Sequence, residues 1–210
     1  MTWLVTGGAG YIGSHVVRKL LQASMDVVVL DDFSTGVRSF VPDGVPLVEG
    51  TLLETQRVEQ ALREHAIEGV IHIAGFKFAG ISVEKPLHAY QQNVTAMMSL
   101  LAAMDTVGVD KIVFSSSSSV YGNAASGLVE EHYPFNPTSP YGESKVIGEW
   151  LLRNQAVARG LNHTSLRYFN VVGSDVPELP DVSPYNLFSM VFAGLERGEA
   201  PTIFGNDYDT

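Results

Sequence analysis

Tyr141 and Lys145 are the side chains whose types and spacing best suit acid–base chemistry. They lie in the segment 139–145, which predicts the first turn of a helix because Ser139 is a good N-cap and Pro140 suits the first helical position. At four residues apart the two share a helix face, so we expect the ammonium to lie beside the phenol and lower a tyrosine pKa that is about 10 in isolation. Alone, this pair is a weak signal, since the same spacing is common on solvated helices.

Three glycines, at positions 7, 10 and 13, follow a β-prone run at residues 2–6 and precede a helical pattern. In such a strand, turn and helix, the early glycines permit a tight turn and the close approach of a pyrophosphate. The third, Gly13, lets the helix pack on the sheet. The pattern predicts either a dinucleotide site or a glycine turn without a ligand.

Two acidic residues, Asp31 and Asp32, end the next predicted strand at 27–30. They lie near the offset of roughly twenty residues at which an acid binds the adenosine ribose of a dinucleotide. Because a carboxylate there repels a 2′-phosphate, the sequence predicts NAD rather than NADP.

Strand and helix patterns alternate along most of the chain and predict a Rossmann-type doubly wound parallel sheet with helices on both faces, an α/β fold. Further strands are predicted at 45–49, 69–75, 111–114 and 163–168, and further helices at 53–65, 86–107 and 139–159. Prolines after position 172 break this alternation, and a last helix is predicted at 185–197. We therefore expect a NAD-binding domain at 1–172 and a partial nucleotide-sugar-binding lobe at 173–210.

Five serines at 115–119 follow the predicted fifth strand directly. A serine run is often a flexible linker, but this one is short and lies between a buried strand and an aromatic turn. Hydroxyls at the carboxyl end of a central strand are well placed to hydrogen-bond a ligand, so we expect the run to line a site.

Composition excludes several classes of function. Thirteen Lys and Arg against 23 Asp and Glu give a net charge of −10, which opposes a nucleic-acid partner. The absence of cysteine excludes disulfides, thiolate catalysis and cysteine-ligated zinc, and the six histidines form no metal-binding pattern. We expect no metal and no membrane partner, and a cytoplasmic location because the N-terminal residues do not resemble a secretory signal.

These motifs together resemble the extended short-chain dehydrogenase/reductase family, and within it the UDP-glucose 4-epimerases. The resemblance rests on segments spread along the whole chain in the family's order, namely 6–15, 30–32, 74–77, 85–86, 93–94, 114–117, 120–122, 139–145, 166–170 and 203–208. It implies epimerisation at C4 of a UDP-hexose through a 4-keto sugar, with NAD kept bound, and a homodimer formed by the helices at 86–107 and 139–159.

The resemblance also implies roles for individual residues. Tyr141 would take the proton from the sugar 4-hydroxyl, Lys145 would hold the nicotinamide ribose, and Ser117 would hydrogen-bond the reacting oxygen. NAD contacts are implied at Tyr141 and Lys145 and at Gly7, Gly10, Tyr11, Ile12, Gly13, Asp31, Asp32, Phe33, Ser34, Thr35, Gly36, Thr51, Leu52, Ile73, Ala74, Gly75, Phe76, Lys77, Gln92, Asn93, Ser115 and Phe169. Contacts with the UDP-sugar are implied at Lys77, Ser117, Tyr141, Tyr168, Asn170, Asn186 and Leu187, and on a strand formed by Thr202, Ile203 and Phe204.

Some residues depart from the family pattern. Thr51 and Leu52 stand where many members have an acidic residue that accepts from the adenine, and a threonine hydroxyl substitutes only weakly. A related 4,6-dehydratase would need an acid and a base at positions 118 and 119, where this chain has serines whose pKa values are far too high. Epimerases acting on UDP-GlcNAc, UDP-uronates or UDP-pentoses, and a non-catalytic NAD-binding protein, remain as alternatives.

Overall fold

A computed structural model describes residues 1–123 and 128–202. Within them, six parallel strands form one sheet in the order β3-β2-β1-β4-β5-β6. The strands are β1 Thr2–Thr6, β2 Asp26–Asp31, β3 Leu47–Glu49, β4 Gly69–His72, β5 Lys111–Ser115 and β6 Asn162–Leu166. The chain order reverses between β1 and β4, which is where doubly wound sheets open a crevice at their carboxyl edge. The prediction of a Rossmann-type parallel sheet is confirmed.

Helices connect the strands, as parallel pairing requires. They are α1 Tyr11–Gln22, α2 Thr55–Glu64, α3 Ala79–Glu84, α4 Pro86–Tyr90, α5 Ala96–Val107, α6 Pro140–Arg159 and α7 Leu187–Glu196. Short 3₁₀ turns lie at Arg38–Phe40 and Ser118–Tyr121. Both α5 and α6 end at a glycine in the left-handed conformation, Gly108 and Gly160, which is a common helix C-terminus.

The region predicted as one helix at 86–107 contains a turn of π-helix at Gln91–Thr95 between α4 and α5. One π-turn adds a residue to the helix and rotates the side chains that follow, and such turns are frequent at functional sites. The short α3, which precedes this region, was not predicted because six residues are too few to show a helical period.

Two apolar layers pack on the two faces of the sheet. Strands β1 and β2 are buried on both sides, so alternate residues such as Leu4 and Val5 contribute to opposite layers. The larger layer joins the sheet to α2, α5 and α6, and its fully buried members include Leu4, Leu30, Leu62, Met97, Leu100, Met104, Ile112 and Leu152. This packing fixes the carboxyl ends of the strands relative to α5 and α6.

The chain divides into two compact units, Met1–Val171 and Val172–Thr210. The first holds the whole sheet. In the second, the Asn186 amide donates to the Asp181 carboxylate just before α7. Thr202 is not in a strand, and Ile203 and Phe204 lie outside the described residues, so the strand predicted at 202–204 is not part of the described structure.

None of the helices in residues 1–123 and 128–202 is long and apolar enough to cross a membrane. The same described residues contain no group of three or more His, Asp or Glu side chains that could hold a metal ion.

Candidate active site

The N-terminus of α6 presents Tyr141 to the carboxyl end of the sheet. As predicted, Ser139 is the N-cap, and its hydroxyl oxygen accepts from the Gly142 N–H at 3.2 Å. The Tyr141 N–H, which has no partner within the helix, donates at 3.1 Å to the hydroxyl of Ser82, a fully buried residue of α3. The Ser82 hydroxyl in turn donates to the Ala79 carbonyl at 2.6 Å. Helix α3 therefore helps to fix the backbone of Tyr141.

The Tyr141 phenol lies near the hydroxyl of Ser117, the N-cap of the 3₁₀ turn that follows β5, and this hydroxyl itself donates to the Ser119 hydroxyl at 3.1 Å. Burial of Tyr141 raises the pKa of its phenol, and the Ser117 hydrogen bond opposes this rise by favouring the phenolate. Tyr168, a second partly buried phenol, raises the pKa further. Tyr141 and Ser117 are thus already together without a ligand.

The expectation that Lys145 lowers the Tyr141 pKa is wrong for the chain alone. The Lys145 ammonium donates at 2.8 Å to the Ser115 carbonyl and lies 5.7 Å from the centre of the Tyr141 ring. The net pKa shift of the phenol is upward because burial outweighs the hydrogen bond that favours its charged form. Burial also lowers the pKa of Lys145 to about 8.

The glycine turn between β1 and α1 is closed by backbone contacts. Gly7 has a φ of +71°, and a Cβ placed there would lie 2.7 Å from the Ala74 nitrogen. A Cβ on Gly13 would lie 2.0 Å from the Gly7 carbonyl oxygen, so the helix approaches the turn only because residue 13 lacks a side chain. The first turn of α1 has no side-chain cap and no acidic residue, as suits a helix N-terminus that holds a phosphate.

Asp31 joins this turn to the end of β2. One oxygen of its buried carboxylate accepts from the Ala9 N–H and the other from the Phe33 N–H, both at 2.9 Å. Burial raises the pKa of Asp31, and these two hydrogen bonds oppose the rise. Each carboxylate oxygen keeps a second lone pair that can accept from a ribose hydroxyl. The neighbouring Asp32 is exposed and accepts from the Ser34 N–H at 2.9 Å.

Asn93 clamps the loop that follows β4. Its side-chain oxygen accepts from the Phe76 N–H at 2.7 Å, and its amide donates at 2.9 Å to the Phe76 carbonyl and at 2.8 Å to the Ser144 hydroxyl. Ser144 donates to the Tyr141 carbonyl at 2.6 Å. The π-turn thus carries the side chain that links the β4 loop to the first turn of α6.

Gln92 and Asn93 lie on the π-turn, Tyr141 and Lys145 lie on α6, and the other predicted cofactor residues of the first unit lie at or after the carboxyl ends of its strands. These other residues lie at 7–13 after β1, 31–36 after β2, 51–52 after β3, 73–77 after β4, and at 115 and 169 around the ends of β5 and β6. Leu52 is buried, and the Thr51 hydroxyl accepts from the Leu53 N–H at 3.3 Å. These residues share one edge of the sheet, as the topology requires.

The predicted substrate residues are divided between the two units. Tyr168 is hydrogen-bonded to Ser115, and Phe169 and Asn170 beside it are exposed. Asn186, Leu187 and Thr202 belong to the second unit, and their grouping with Tyr141 stays a prediction.

A cavity of about 430 Å³ in the first unit is lined by residues close in sequence to Ser117 and Tyr141, although these two residues are not part of its described lining. Its described lining is small, apolar or hydroxylated and carries no charged side chain. The lining consists of Ala79, Gly80, Val83, Ser118, Ser119, Tyr121, Gly122, Asn123, Val129, Thr138, Ser139 and Phe169. Hydroxyl groups on a small apolar surface suit a neutral, hydroxyl-rich ligand.

One group of buried polar residues was missed by the sequence analysis. The Glu149 carboxylate is paired with the Arg167 guanidinium, Nη2 to Oε2 at 2.6 Å, and accepts from the Ser116 hydroxyl. Glu149 lies four residues after Lys145, so the spacing that pairs Tyr141 with Lys145 was the available signal.

Comparison with known proteins assigns the family. Residues 3–209 match the sequence profile described as the NAD dependent epimerase/dehydratase family. This chain belongs to that family. A UDP-glucose 4-epimerase of Azospirillum brasilense is 42% identical over 211 residues, which is 99% of this chain and 61% of the relative.

Solved structures from the family agree in fold. The UDP-glucose 4-epimerase of Thermus thermophilus, in complex with NAD, superposes with a TM-score of 0.85 at 39% identity over 94% of this chain and 62% of that one. The Thermotoga maritima UDP-glucose 4-epimerase, with UDP-glucose, gives 0.91 at 34% identity over 98% and 66%. This chain thus spans 61% to 66% of the length of these three relatives.

Proposed function

We propose that the protein interconverts UDP-galactose and UDP-glucose by epimerisation at C4, with NAD as a bound cofactor. The observation that carries this proposal is the grouping of partly buried Tyr141 with buried Ser117 and Lys145 at the carboxyl edge of a Rossmann-type sheet. The choice of reaction is supported by relatives named UDP-glucose 4-epimerase, such as the Azospirillum brasilense protein at 42% identity.

The residues around the glycine turn fit NAD. The close approach at Gly7 and Gly13 leaves the turn free of side chains, and the uncapped N-terminus of α1 suits a pyrophosphate. Asp31 would accept from the adenosine ribose hydroxyls, and Lys145 would hold the nicotinamide ribose. When bound, NAD supplies the reversible two-electron oxidation of the sugar at C4.

Two side chains of this protein would transfer the proton of the sugar 4-hydroxyl and hydrogen-bond its oxygen. Tyr141 would take the proton of the 4-hydroxyl and later return it, and Ser117 would hydrogen-bond the same oxygen. Tyr141 must be a phenolate to act as base, and burial opposes that form in the chain alone. The positive charge that oxidised NAD would bring to this site favours the phenolate, so we expect Tyr141 to act as a base only in the loaded protein.

Elimination of water, as in a 4,6-dehydratase, is disfavoured by the two residues that follow Ser117. A dehydratase needs an acid and a base directly after the catalytic Ser or Thr, and here Ser118 and Ser119 line the cavity at those positions. A reaction that restores the redox state and loses no atoms needs only one proton shuttle, which Tyr141 supplies.

We also propose a homodimer formed by the helices around 86–107 and 139–159. Helix α6 contacts both α4 and α5, and the three helices expose large apolar side chains, namely Leu87, Met98, Trp150 and Val157. Surface of this kind is typical of an interface between subunits. A cytoplasmic location is consistent with a chain that has no cysteine.

Chromatographic separation of the two epimeric sugars, with mass spectrometry of each peak, distinguishes the candidate reactions from one another and from unreacted substrate. Epimerisation of a UDP-hexose gives a product of unchanged mass, whereas a dehydratase product is lighter by one water. Incubation with UDP-galactose, UDP-N-acetylgalactosamine, a UDP-uronate and a UDP-pentose, each alone, identifies the sugar that reacts. We expect UDP-galactose to react at unchanged mass; loss of water, or no reaction from any of them, contradicts the proposal.

A further inference from the structure

Helix α6 presents three polar side chains, at successive turns, to three consecutive serines at the carboxyl end of β5, Ser115, Ser116 and Ser117. The contacts pair Tyr141 with Ser117, Lys145 with Ser115 and Glu149 with Ser116. Positions i, i+4 and i+8 lie along one helix face, so Glu149 extends the row that Tyr141 and Lys145 begin. It is the one member of this row that the proposed chemistry does not use.

The Glu149 carboxylate is held from two sides. Its Oε1 accepts from the Ser116 hydroxyl at 2.5 Å and from Arg167 Nε at 2.8 Å, and its Oε2 accepts from Arg167 Nη2 at 2.6 Å. Glu149 is only 7% exposed, and a buried carboxylate is stable only when it is paired and hydrogen-bonded. The two-pronged contact with the planar guanidinium fixes its orientation.

Arg167 is itself fixed by groups beyond the ion pair. Its Nη1 donates to the Tyr121 hydroxyl at 2.8 Å and to the Glu131 carbonyl at 2.7 Å, and the guanidinium lies 4.8 Å from the centre of the Phe135 ring. The hydrogen bond to Glu149 raises the pKa of Arg167, so the cation persists at any pH at which the protein is folded. Ser116 is thus hydrogen-bonded to one member of the Glu149–Arg167 ion pair, whose position is fixed by these further contacts.

We propose that Glu149 and Arg167 are positioning residues that hold Ser116, and through it the whole segment 115–117, in register with the first two turns of α6. In that register the Ser115 carbonyl accepts from Lys145, and the Ser117 hydroxyl lies near the Tyr141 phenol. The inference rests on the proposed function only in treating Tyr141, Lys145 and Ser117 as the reacting group. Neither Glu149 nor Arg167 needs to contact the substrate.

The most informative variant is Ser116→Ala, because it removes the hydrogen bond from residue 116 to Glu149 and leaves the ion pair between Glu149 and Arg167 in place. We expect its kcat with UDP-galactose to fall on the order of tenfold, since small displacements of reacting groups are costly, while KM changes less than about twofold. Glu149→Gln removes the charge at nearly constant shape and should lower kcat similarly. If both substitutions act through the hydrogen bond between Ser116 and Glu149, the protein that carries both should be no slower than the slower of the two single variants.

A matched control comes from the same helix. Arg159 near the end of α6 pairs with Asp105 at 3.3 Å, and both side chains are well exposed. Asp105→Asn therefore breaks an arginine–carboxylate pair of α6 far from the serines, and we expect kcat to stay at the wild-type value.

A second readout needs no turnover. Spectrophotometric titration of Tyr141, taken as the difference between each protein and its Tyr141→Phe counterpart, reports the phenol directly. Loosening Ser117 removes a hydrogen bond that favours the phenolate, so the Tyr141 pKa should rise in Ser116→Ala and Glu149→Gln. Lys145 and Tyr168, the other titratable groups near the phenol, are retained in every protein compared.

The two readouts separate this inference from the proposed function. A wild type that binds NAD and leaves every UDP-sugar unchanged overturns the function, and the titration still decides the positioning role. Unchanged kcat and an unchanged Tyr141 titration in Ser116→Ala overturn the inference, even if Glu149→Gln melts at a lower temperature. If Glu149→Gln does not fold, Ser116→Ala alone decides.

Discussion

The Lys145 ammonium donates to the Ser115 carbonyl at 2.8 Å, while its nitrogen lies 5.7 Å from the centre of the Tyr141 ring. Tyr141 and Lys145 therefore contact different residues of the segment 115–117 at the carboxyl end of β5. Because Ser117 of that segment contacts the phenol, the geometry of the serines decides how Tyr141 and Lys145 cooperate.

Tyr141→Phe should remove most of the activity and leave cofactor content unchanged. The substitution deletes only the hydroxyl that takes the proton, and a general base contributes on the order of 10²–10⁴-fold to rate. Turnover and the NAD released on denaturation are measured on the same sample. Tyr90→Phe, which deletes a hydroxyl that contacts Glu143 on the neighbouring helix, is the control and should lose less than about threefold.

Gly13→Ala should abolish cofactor binding or folding. The added Cβ would lie 2.0 Å from the Gly7 carbonyl oxygen, so the glycine turn and α1 must separate. Gly194→Ala in α7 is the control, because there the nearest atom of another residue is 3.8 Å from the Cβ. Bound NAD and melting temperature are the measurements, and a Gly13→Ala protein with normal NAD content would show that the turn does not hold the cofactor.

Ser82→Ala should lower both stability and kcat. The Tyr141 N–H would lose its acceptor in a buried place, which costs on the order of 1–3 kcal/mol. We expect a modest loss of kcat, about two- to tenfold, because Tyr141 shifts without being removed. Ser99→Ala, which removes a partly buried hydroxyl that contacts Thr55, serves as control. Equal kcat in the two variants would mean that α3 does not position Tyr141.

The buried His72 should make the free energy of unfolding decrease as the pH falls. The ring is buried on β4, its Nδ1 lies 2.8 Å from the Thr6 hydroxyl oxygen, and it stacks on Phe114. Burial, with a smaller contribution from the Lys145 charge, lowers the His72 pKa to about 3. Between about pH 6.5 and pH 3 the unfolded chain binds a proton there that the folded chain does not, so the stabilisation is complete above pH 6.5 and is lost as the pH falls.

Denaturant unfolding of the wild type and His72→Asn measures this effect. From pH 6.5 to pH 5 the free energy of unfolding of the wild type should fall by about 2 kcal/mol more than that of the variant. Other titrating groups are common to both proteins and cancel in the comparison. Parallel curves would show that His72 is not held neutral.

The sheet, the glycine turn and the shared face of Tyr141 and Lys145 were predictable because each leaves a local pattern. Strand alternation, glycine spacing and a four-residue interval are all properties of short segments. The contacts of Ser82 with Tyr141, and of Arg167 with Glu149, join segments 59 and 18 residues apart and leave no such pattern. The direction of the Tyr141 pKa also depended on burial, which spacing does not reveal.

The most direct test is incubation of the purified full-length protein with UDP-galactose and no added NAD. We predict that UDP-glucose forms until the two sugars reach equilibrium, with no net reduction of cofactor, and that the rate collapses in Tyr141→Phe. A protein that carries NAD and leaves UDP-galactose unchanged, or one that turns it over at the same rate without the Tyr141 hydroxyl, would contradict the account.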